Sequence, residues 1–302
     1  MIVDAEQRGE AVFRDRVFDV GIAGTGPAGI TLARRLAAKG ASDALLEAGD
    51  LDLDARSQEL YEGTIVGRDY FPLDVSRLRY YGGTSNHWGG WSRPLDVHDF
   101  EPNPSNPLSG WPIARTDLDP YADETARILD LNRPRDQALD FFEGDTAGFV
   151  PIVFRFSPPT RFGRKYKEEF ATSERIRVCL NANLVDLALD DGGTAIGEAM
   201  VQSYSGTKLF AVRARYFVVA MGGIENPCFL LNANRQRTAG LGNEHDLVGR
   251  YFLEHLHAAV GPVVLRRPQP NMLIYTPSPQ MMAEEGLLNF AFRLTPVFPP
   301  PP

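Results

Sequence analysis

The clearest alternation of apolar and polar positions lies near the start of the chain. Residues 17–20, together with Ile22, form a short apolar run that is typical of a buried strand. Residues 30–39 repeat apolar side chains at helical spacing, and Gly40 ends that predicted helix. A second apolar run at 44–46 predicts another strand. This order predicts a β–α–β unit, the nucleus of an α/β domain.

The middle of the chain has a weaker pattern. Residues 50–79 mix apolar and polar side chains without a long helical period and predict loops. Residues 102–112 are rich in proline, serine and asparagine and predict a crossing from one domain to the other. Thr116 is predicted to cap a helix through Leu131, with acidic residues in its first turn. Residues 165–172 predict a short helix.

After residue 176 the pattern changes to short strands. Turns at 190–193 and 205–206 connect three of these strands, 184–189, 195–204 and 208–213, into a β-meander. A further strand leads into the Gly222–Gly223 pair, which is followed by a short helix over 227–231. Residues 263–292 also predict strands. The predicted strands cover 177–180, 184–189, 195–204, 208–213 and 216–220.

The turn after the first strand carries glycines at the spacing of a dinucleotide fingerprint, GTGPAG. The first glycine makes a tight turn, the second lets the backbone approach a pyrophosphate, and the third lets the helix pack closely on the strand. The helix N-terminus favours a diphosphate through its unpaired N–H groups. A purely structural glycine turn is the alternative. The residues assigned to this turn are Gly24, Gly26, Pro27, Ala28 and Gly29.

An acidic residue ends the second strand, about twenty residues after the fingerprint. Glu47 is expected to accept hydrogen bonds from ribose hydroxyls. Because this contact favours a free 2′-hydroxyl, FAD or NAD is expected in preference to NADP.

Length and charge limit the possible functions. At 302 residues the chain predicts about two domains. A net charge of −8 without a basic block argues against nucleic acid and anionic membranes as partners. The charged N-terminus and the lack of an apolar span predict a cytoplasmic protein. Cys179 and Cys228 are predicted to be buried free thiols.

Two further glycine segments predict additional places where the backbone comes close to the bound dinucleotide. Residues 82–90 read GGTSNHWGG and place a histidine in a flexible segment. The strand over 216–220 leads into Gly222 and Gly223, which repeats the strand–glycine–helix order of the fingerprint. Asn226 and Pro227 follow and are assigned to this second approach.

Four ordered segments together resemble the glucose–methanol–choline (GMC) oxidoreductases, near the sugar-oxidising, pyranose oxidase-like branch. They are the fingerprint, GGTSNHWGG, VVAMGGIENPCFLL and DLVGRYFLEHLH, and WPIARTDLDPY also looks like that branch. The resemblance runs from about Phe18 to His257.

The resemblance implies a Rossmann-like FAD-binding domain, βαβ with a β-meander, plus an α+β substrate domain that is incomplete at the C-terminus. The implied FAD-binding domain comprises 16–100 and 177–255, and the substrate domain comprises 101–176 and 256–302. A backbone contact to adenine is implied at Leu184, with Val185 as the competing register. The loop along the pyrophosphate and isoalloxazine is implied to contain Gly82, Gly83, Thr84 and Asn86.

His87 matches the family position that in several members is joined covalently to the flavin. The alternative is a histidine that only hydrogen-bonds the flavin or its loop. Trp88 and Trp91 either line the flavin or fill the core, with packing favoured. His255 and His257 have no third ligand of convincing spacing, so no metal is expected.

The implied reaction is oxidation of the CH–OH group of a sugar or related alcohol, with hydride transfer to FAD and a histidine as base. No match to the family's C-terminal base follows His257, and the chain ends in prolines 299–302. Three explanations stay open: a truncated chain, a second chain that supplies the base, or a flavin-binding remnant without turnover. The substrate, the electron acceptor and the oligomeric state are not indicated.

Overall fold

A seven-stranded sheet carries the predicted β–α–β nucleus. The structure is a computed structural model that describes residues 1–104, 106–131, 147–255, 257–264 and 273–295. The strands in chain order are Ile2–Asp4 (β1), Val17–Ala23 (β2), Asp43–Leu46 (β3), Trp91–Ser92 (β4), Phe149–Pro151 (β5), Arg155–Phe156 (β6), Ile176–Leu180 (β7), Ala182–Leu189 (β8), Ile196–Ser203 (β9), Leu209–Val219 (β10), Leu273–Pro277 (β11) and Phe292–Leu294 (β12).

The helices are mostly short, and the two longest flank the large sheet. Among the described residues, none of the helices has the length and apolar character needed to cross a lipid bilayer. The helices are Glu10–Phe13 (α1), Pro27–Ala38 (α2), Ala55–Gln58 (α3), Leu73–Ser76 (α4), Arg115–Leu118 (α5), Ala122–Ile128 (α6), Phe162–Thr172 (α7), Glu225–Asn232 (α8) and Pro279–Glu285 (α9).

The chain divides into two compact units. The first contains residues 1–88 and 160–255, and the second contains 89–159 and 256–302. The predicted boundaries after residues 100 and 176 lie 12 and 17 residues beyond those after residues 88 and 159, and the predicted boundary after residue 255 coincides. The assignment of one unit to cofactor binding and the other to substrate binding stays a prediction.

The large sheet of the first unit has the order β1-β7-β3-β2-β10-β9-β8. Its strands from β1 to β10 in this order are parallel, and β9 and β8 continue it as an antiparallel meander. Helix α2 packs on β2 and β3, and α7 packs on α2 and β7. The fold class predicted from the sequence, α/β with a β-meander, is therefore confirmed.

In the second unit, β5, β11 and β12 form one antiparallel sheet, and β4 pairs with β6. Helix α9, which lies between β11 and β12, was not predicted. Prolines 299–302 lie outside the described residues, as does part of the 263–292 segment that was predicted to contain strands.

Three local predictions are wrong. Helix α5 begins at Arg115, because Asp117 accepts the N–H of Ala114 at 2.8 Å, so Thr116 lies inside the helix. Helix α5 then ends at Leu118, because Pro120 lacks the N–H needed to continue the helix toward Leu131. The strands predicted at 208–213 and 216–220 are one continuous strand, β10. Cys179 is buried as predicted, but Cys228 is exposed on α8.

Candidate functional site

The fingerprint turn contains two glycines that the fold requires and one that faces open space. Gly24 has φ +103°, and a Cβ there would lie 2.4 Å from the carbonyl oxygen of Ala220. A Cβ on Gly29 would lie 1.9 Å from the carbonyl oxygen of Gly24. A Cβ on Gly26 meets nothing within 4 Å. Packing therefore explains the first and third glycines, and Gly26 leaves room for a ligand.

The N-terminus of α2 opens at this turn. Gly26 is the extended N-cap residue and Pro27 is the first helical residue, where its missing N–H costs nothing. The first intrahelical hydrogen bond comes from Ile30 to the Gly26 carbonyl, at 3.0 Å. The N–H groups of Ala28 and Gly29 precede it and are first-turn donors suited to an anion.

The second glycine segment lies directly against the fingerprint turn. Gly82 and Gly83 have φ of +97° and +56°, and a Cβ on Gly83 would lie 3.2 Å from the Cα of Gly26. The N–H of Gly82 donates to the Thr25 hydroxyl at 3.1 Å. Two loops that are distant in the sequence are thus in contact in the first unit.

Residues 83–86 form a single 3₁₀ turn. Asn86 Nδ2 donates to the Tyr81 carbonyl at 2.9 Å, and the Thr84 hydroxyl accepts the N–H of Leu78 at 3.2 Å. The N–H of His87 donates to the Thr84 carbonyl at 3.2 Å. The His87 imidazole is exposed, so it is available to react with a group bound at this loop.

The turn after β10 completes the cluster of loops. The N–H of Ala220 donates to the Ala23 carbonyl at 2.8 Å, which fixes this turn beside the end of β2. Asn226 accepts the N–H of Met221 through Oδ1 at 2.8 Å, and Pro227 lies in the first turn of α8. A Cβ on Gly222 or on Gly223 meets nothing within 4 Å. These two glycines are open in the same way as Gly26.

Glu47 is buried at the end of β3 and is held by the fingerprint turn. Its Oε2 accepts hydrogen bonds from the N–H of Thr25, at 3.2 Å, and from the Thr25 hydroxyl. Its Oε1 accepts the N–H of Gly49 at 2.9 Å. A carboxylate oxygen has two lone pairs, so Oε1 can accept a further hydrogen bond, as its predicted ribose contact requires.

Leu184 lies on β8 opposite Val201. Together with Ala23 and Leu46 it lines a small apolar cavity beside the ends of β2 and β3. The register of β8 against β9 shifts after Leu184, so that Val185 has no partner residue on β9. Either of the two predicted registers for a backbone contact therefore falls on this β-bulge.

Arg79 was not singled out from the sequence, although it is 5% exposed. Its guanidinium donates to the carbonyl of Ala48 at 3.1 Å and to the side chains of Ser57 and Asn183. It thereby joins the segment after Glu47 to β8. An arginine in a loop of mixed polarity gives no periodic signal that it is buried.

Arg77, which directly follows α4, and Glu225 join the segment before Gly82 to the third loop. The Arg77 guanidinium lies 2.7 Å from a Glu225 carboxylate oxygen and 3.9 Å from the centre of the Tyr61 ring. Burial, followed by the charge of Glu47, raises the pKa of Tyr61 to about 12. Glu225 therefore has an ion-pair partner, Arg77, within the first unit.

The two tryptophans lie in different units. Trp88 donates its indole N–H to the Thr160 carbonyl at 2.8 Å in the first unit. Trp91 packs edge-on against Phe156 in the second unit, with ring centres 4.9 Å apart, and remains 40% exposed. Trp91 packs on a neighbouring ring but is too exposed to fill a core, and whether either tryptophan lines the flavin stays a prediction.

The second unit contains a group of metal-binding residue types that the sequence did not indicate: Asp96, His98 and Asp99. Arg93 donates to both carboxylate oxygens of Asp96, and Asn289 donates to both aspartates. Asp99 also accepts the N–H of Asp96 at 2.7 Å. These donors occupy the carboxylates of the two aspartates, which cap the turn at 97–100. The buried Nε2 atom of His98 has no hydrogen-bond partner among the described residues.

No family model matches the chain. Paromamine 6'-oxidase from Streptomyces fradiae is 27% identical over 309 aligned positions, which cover 83% of this chain and 56% of that enzyme. This similarity agrees with the four ordered motifs. The chain is thus similar to a GMC oxidoreductase. It spans little more than half the length of this curated relative.

Solved structures give weaker likenesses. Pyridoxine 4-oxidase from Mesorbium loti has a TM-score of 0.41 at 17% identity, with 71% of this chain and 51% of that chain covered. An FAD-dependent oxidoreductase from Chaetomium thermophilum has a TM-score of 0.46 at 18% identity, with 70% and 47% covered. With TM-scores below 0.5, these likenesses do not support an argument about function.

Proposed function

We propose that the chain binds FAD and belongs to an oxidoreductase that acts on the CH–OH group of a sugar or related alcohol. The observation that carries this proposal is the meeting of three glycine loops in the first unit. The loops at 24–29, 82–87 and 220–227 are joined through Thr25, Gly83 and Ala220. Open glycines in two of them leave backbone accessible, as a bound dinucleotide requires.

The residues present fit FAD. Gly26 and the first-turn N–H groups of α2 would hold the pyrophosphate, and Glu47 would accept a ribose hydroxyl. Gly82, Gly83, Thr84 and Asn86 would lie along the pyrophosphate and flavin, and Leu184 would contact adenine. Gly222, Gly223, Asn226 and Pro227 would form the second close approach.

Bound FAD supplies the electron acceptor for hydride removal from the carbinol carbon. The residues of this chain bind and orient the cofactor, and we assign the proton acceptor for the substrate hydroxyl to none of them. We also propose that His87 is the point of a covalent link to FAD, since its exposed imidazole lies at the end of the 83–86 turn. A location in the cytoplasm belongs to the same proposal.

A second candidate is a flavin-binding protein or subunit without turnover of its own. It is supported by the fact that we assign the proton acceptor to none of the described residues of this chain. A partner chain that supplies the base would reconcile this candidate with the family's chemistry.

The test is an absorbance titration of purified protein with FAD, followed by anaerobic addition of alcohols. We expect a bound, yellow flavin whose visible band is bleached by sugars or by paromamine, the compound in the name of the related enzyme. Bound colour without bleaching by any alcohol supports the second candidate. Protein that is folded by circular dichroism yet stays colourless with excess FAD contradicts both.

A further inference from the structure

Thr25 occupies a variable position of the fingerprint, between its first two glycines, and is completely buried. Its hydroxyl donates to Glu47 Oε2 and accepts the N–H of Gly82 at 3.1 Å. Thr25 thus connects the acid of the ribose end to the loop of the flavin end. No other position of the fingerprint turn has a side-chain hydroxyl.

The network continues on the far side of Gly82. The Ser85 hydroxyl donates to the Gly82 carbonyl at 2.8 Å and accepts the N–H of Phe162, the first residue of α7, at 3.2 Å. The backbone N–H and the carbonyl of Gly82 are therefore both hydrogen-bonded to buried hydroxyls. Gly82 is itself buried at φ +97°, a conformation that a glycine adopts without strain.

The direction of these hydrogen bonds is set by chemistry. The N–H of Gly82 can only donate, so the Thr25 oxygen accepts it and turns its own hydrogen toward Glu47. An ionised carboxylate accepts that hydrogen in a charge-assisted bond. One hydroxyl therefore satisfies two buried groups at once, which an apolar side chain at position 25 cannot do.

We propose that Thr25 is a positioning residue that holds the 82–87 loop in register with Glu47, so that both ends of FAD are bound together. This inference rests on the proposed function. Loss of the hydroxyl leaves the Gly82 N–H buried without an acceptor and removes a donor from Glu47, and an unmade buried hydrogen bond is costly. The flavin end is expected to suffer more than the ADP end, because only FAD needs both loops.

The experiment compares Thr25→Val, of nearly equal shape, with Thr25→Ser, which keeps the hydroxyl. Thr172→Val makes the same chemical change at the exposed end of α7 and serves as control. Affinities for FAD and for ADP are measured by titration. We expect Thr25→Val to weaken FAD binding about 10- to 100-fold and ADP binding by about threefold. Thr25→Ser and the control should stay within about threefold of the wild type for both ligands.

Hydrogen exchange of the ligand-free proteins gives a second readout. The amide of Gly82 should exchange at least about tenfold faster in Thr25→Val than in the wild type, and Thr25→Ser should restore its protection. Equal loss of FAD and ADP affinity, or unchanged protection of Gly82, would overturn the inference. If Thr25→Val does not fold, Thr25→Ala replaces it. A wild type that binds no FAD contradicts the proposed function, and the exchange measurement still decides the role of Thr25.

Discussion

At the scale of single residues, the glycines of the first unit fall into two kinds. Gly24 and Gly29 have no room for a side chain, whereas Gly26, Gly222 and Gly223 do. The first kind is required for folding. The second kind has no packing reason to be glycine. Gly222 has φ +95°, which by itself favours glycine, whereas Gly26 and Gly223 fit a site for close backbone approach.

Gly24→Ala is expected to destabilise the protein by roughly 3 kcal/mol or more, because backbone strain at positive φ adds to a collision with Ala220. Gly40→Ala is the matched control, since Gly40 has φ +96° and open space around its Cα. It should cost about 1 kcal/mol. Denaturant unfolding of both variants measures the difference, and equal losses would contradict the packing argument.

Gly26→Ala should leave the free energy of unfolding within about 0.5 kcal/mol of the wild type, because its added methyl meets no atom of the protein. The same methyl should weaken FAD binding about tenfold or more, since it lies where the backbone would approach the pyrophosphate. Thermal melts without ligand and FAD titrations separate the two effects. Unchanged FAD affinity would show that Gly26 does not face the cofactor.

His87→Ala should abolish the proposed covalent link while the variant still binds FAD. Wild-type protein precipitated with acid should stay yellow, and precipitated His87→Ala should release all its flavin to the supernatant. Retained colour in the variant would place the link elsewhere. A wild type that releases all its flavin would rule the link out.

At the scale of elements, β3 begins with a carboxyl group in an unfavourable environment. Asp43 is completely buried, and neither of its carboxylate oxygens has a partner among the described residues. Burial, together with the nearby carboxylate of Asp19, raises its pKa to about 7. Below about pH 7 the buried side chain of Asp43 is a neutral carboxylic acid, and above about pH 7 it is a buried carboxylate.

The stability of the wild type should therefore fall relative to Asp43→Asn as the pH rises from 5 to 8. The folded-state pKa of about 7 lies above the unfolded value of 3.8, so the loss accumulates as the pH rises from about 4 to 7 and levels off above about 7. Between pH 5 and 8 we expect a relative loss of roughly 2–3 kcal/mol. Urea unfolding of both proteins at the two pH values tests this. A difference independent of pH would mean that Asp43 keeps its ordinary pKa.

The sequence predicted the elements that depend on local periodicity. The strands β2 and β3, helix α2 and the meander were all found, because their apolar spacing matches their burial. Strand β1 was missed, since its three residues are paired with Val178 and its neighbours, far along the chain. In the site, glycine spacing indicated the loops. It gave no sign of Thr25 or Arg79, whose roles depend on contacts between distant segments.

At the scale of the whole molecule, the site assembles from three stretches that are widely separated in sequence. FAD should therefore slow hydrogen exchange at 24–29, 82–87 and 220–227 together. By mass action it should stabilise the protein by about 2.7 kcal/mol at one hundred times its dissociation constant. Exchange by mass spectrometry with and without FAD measures this. Protection of the fingerprint turn alone would indicate a ligand that contacts only one loop.

The pairing of β10 with β2 also has a consequence for synthesis. About two hundred residues separate the two strands, which takes a ribosome roughly 10 to 40 seconds to translate. Throughout that interval one edge of the apolar strand β2 has no neighbour and is open to pairing with other nascent chains. Slower translation lengthens this exposure, so the yield of folded protein should depend on chaperones that shield the growing polypeptide.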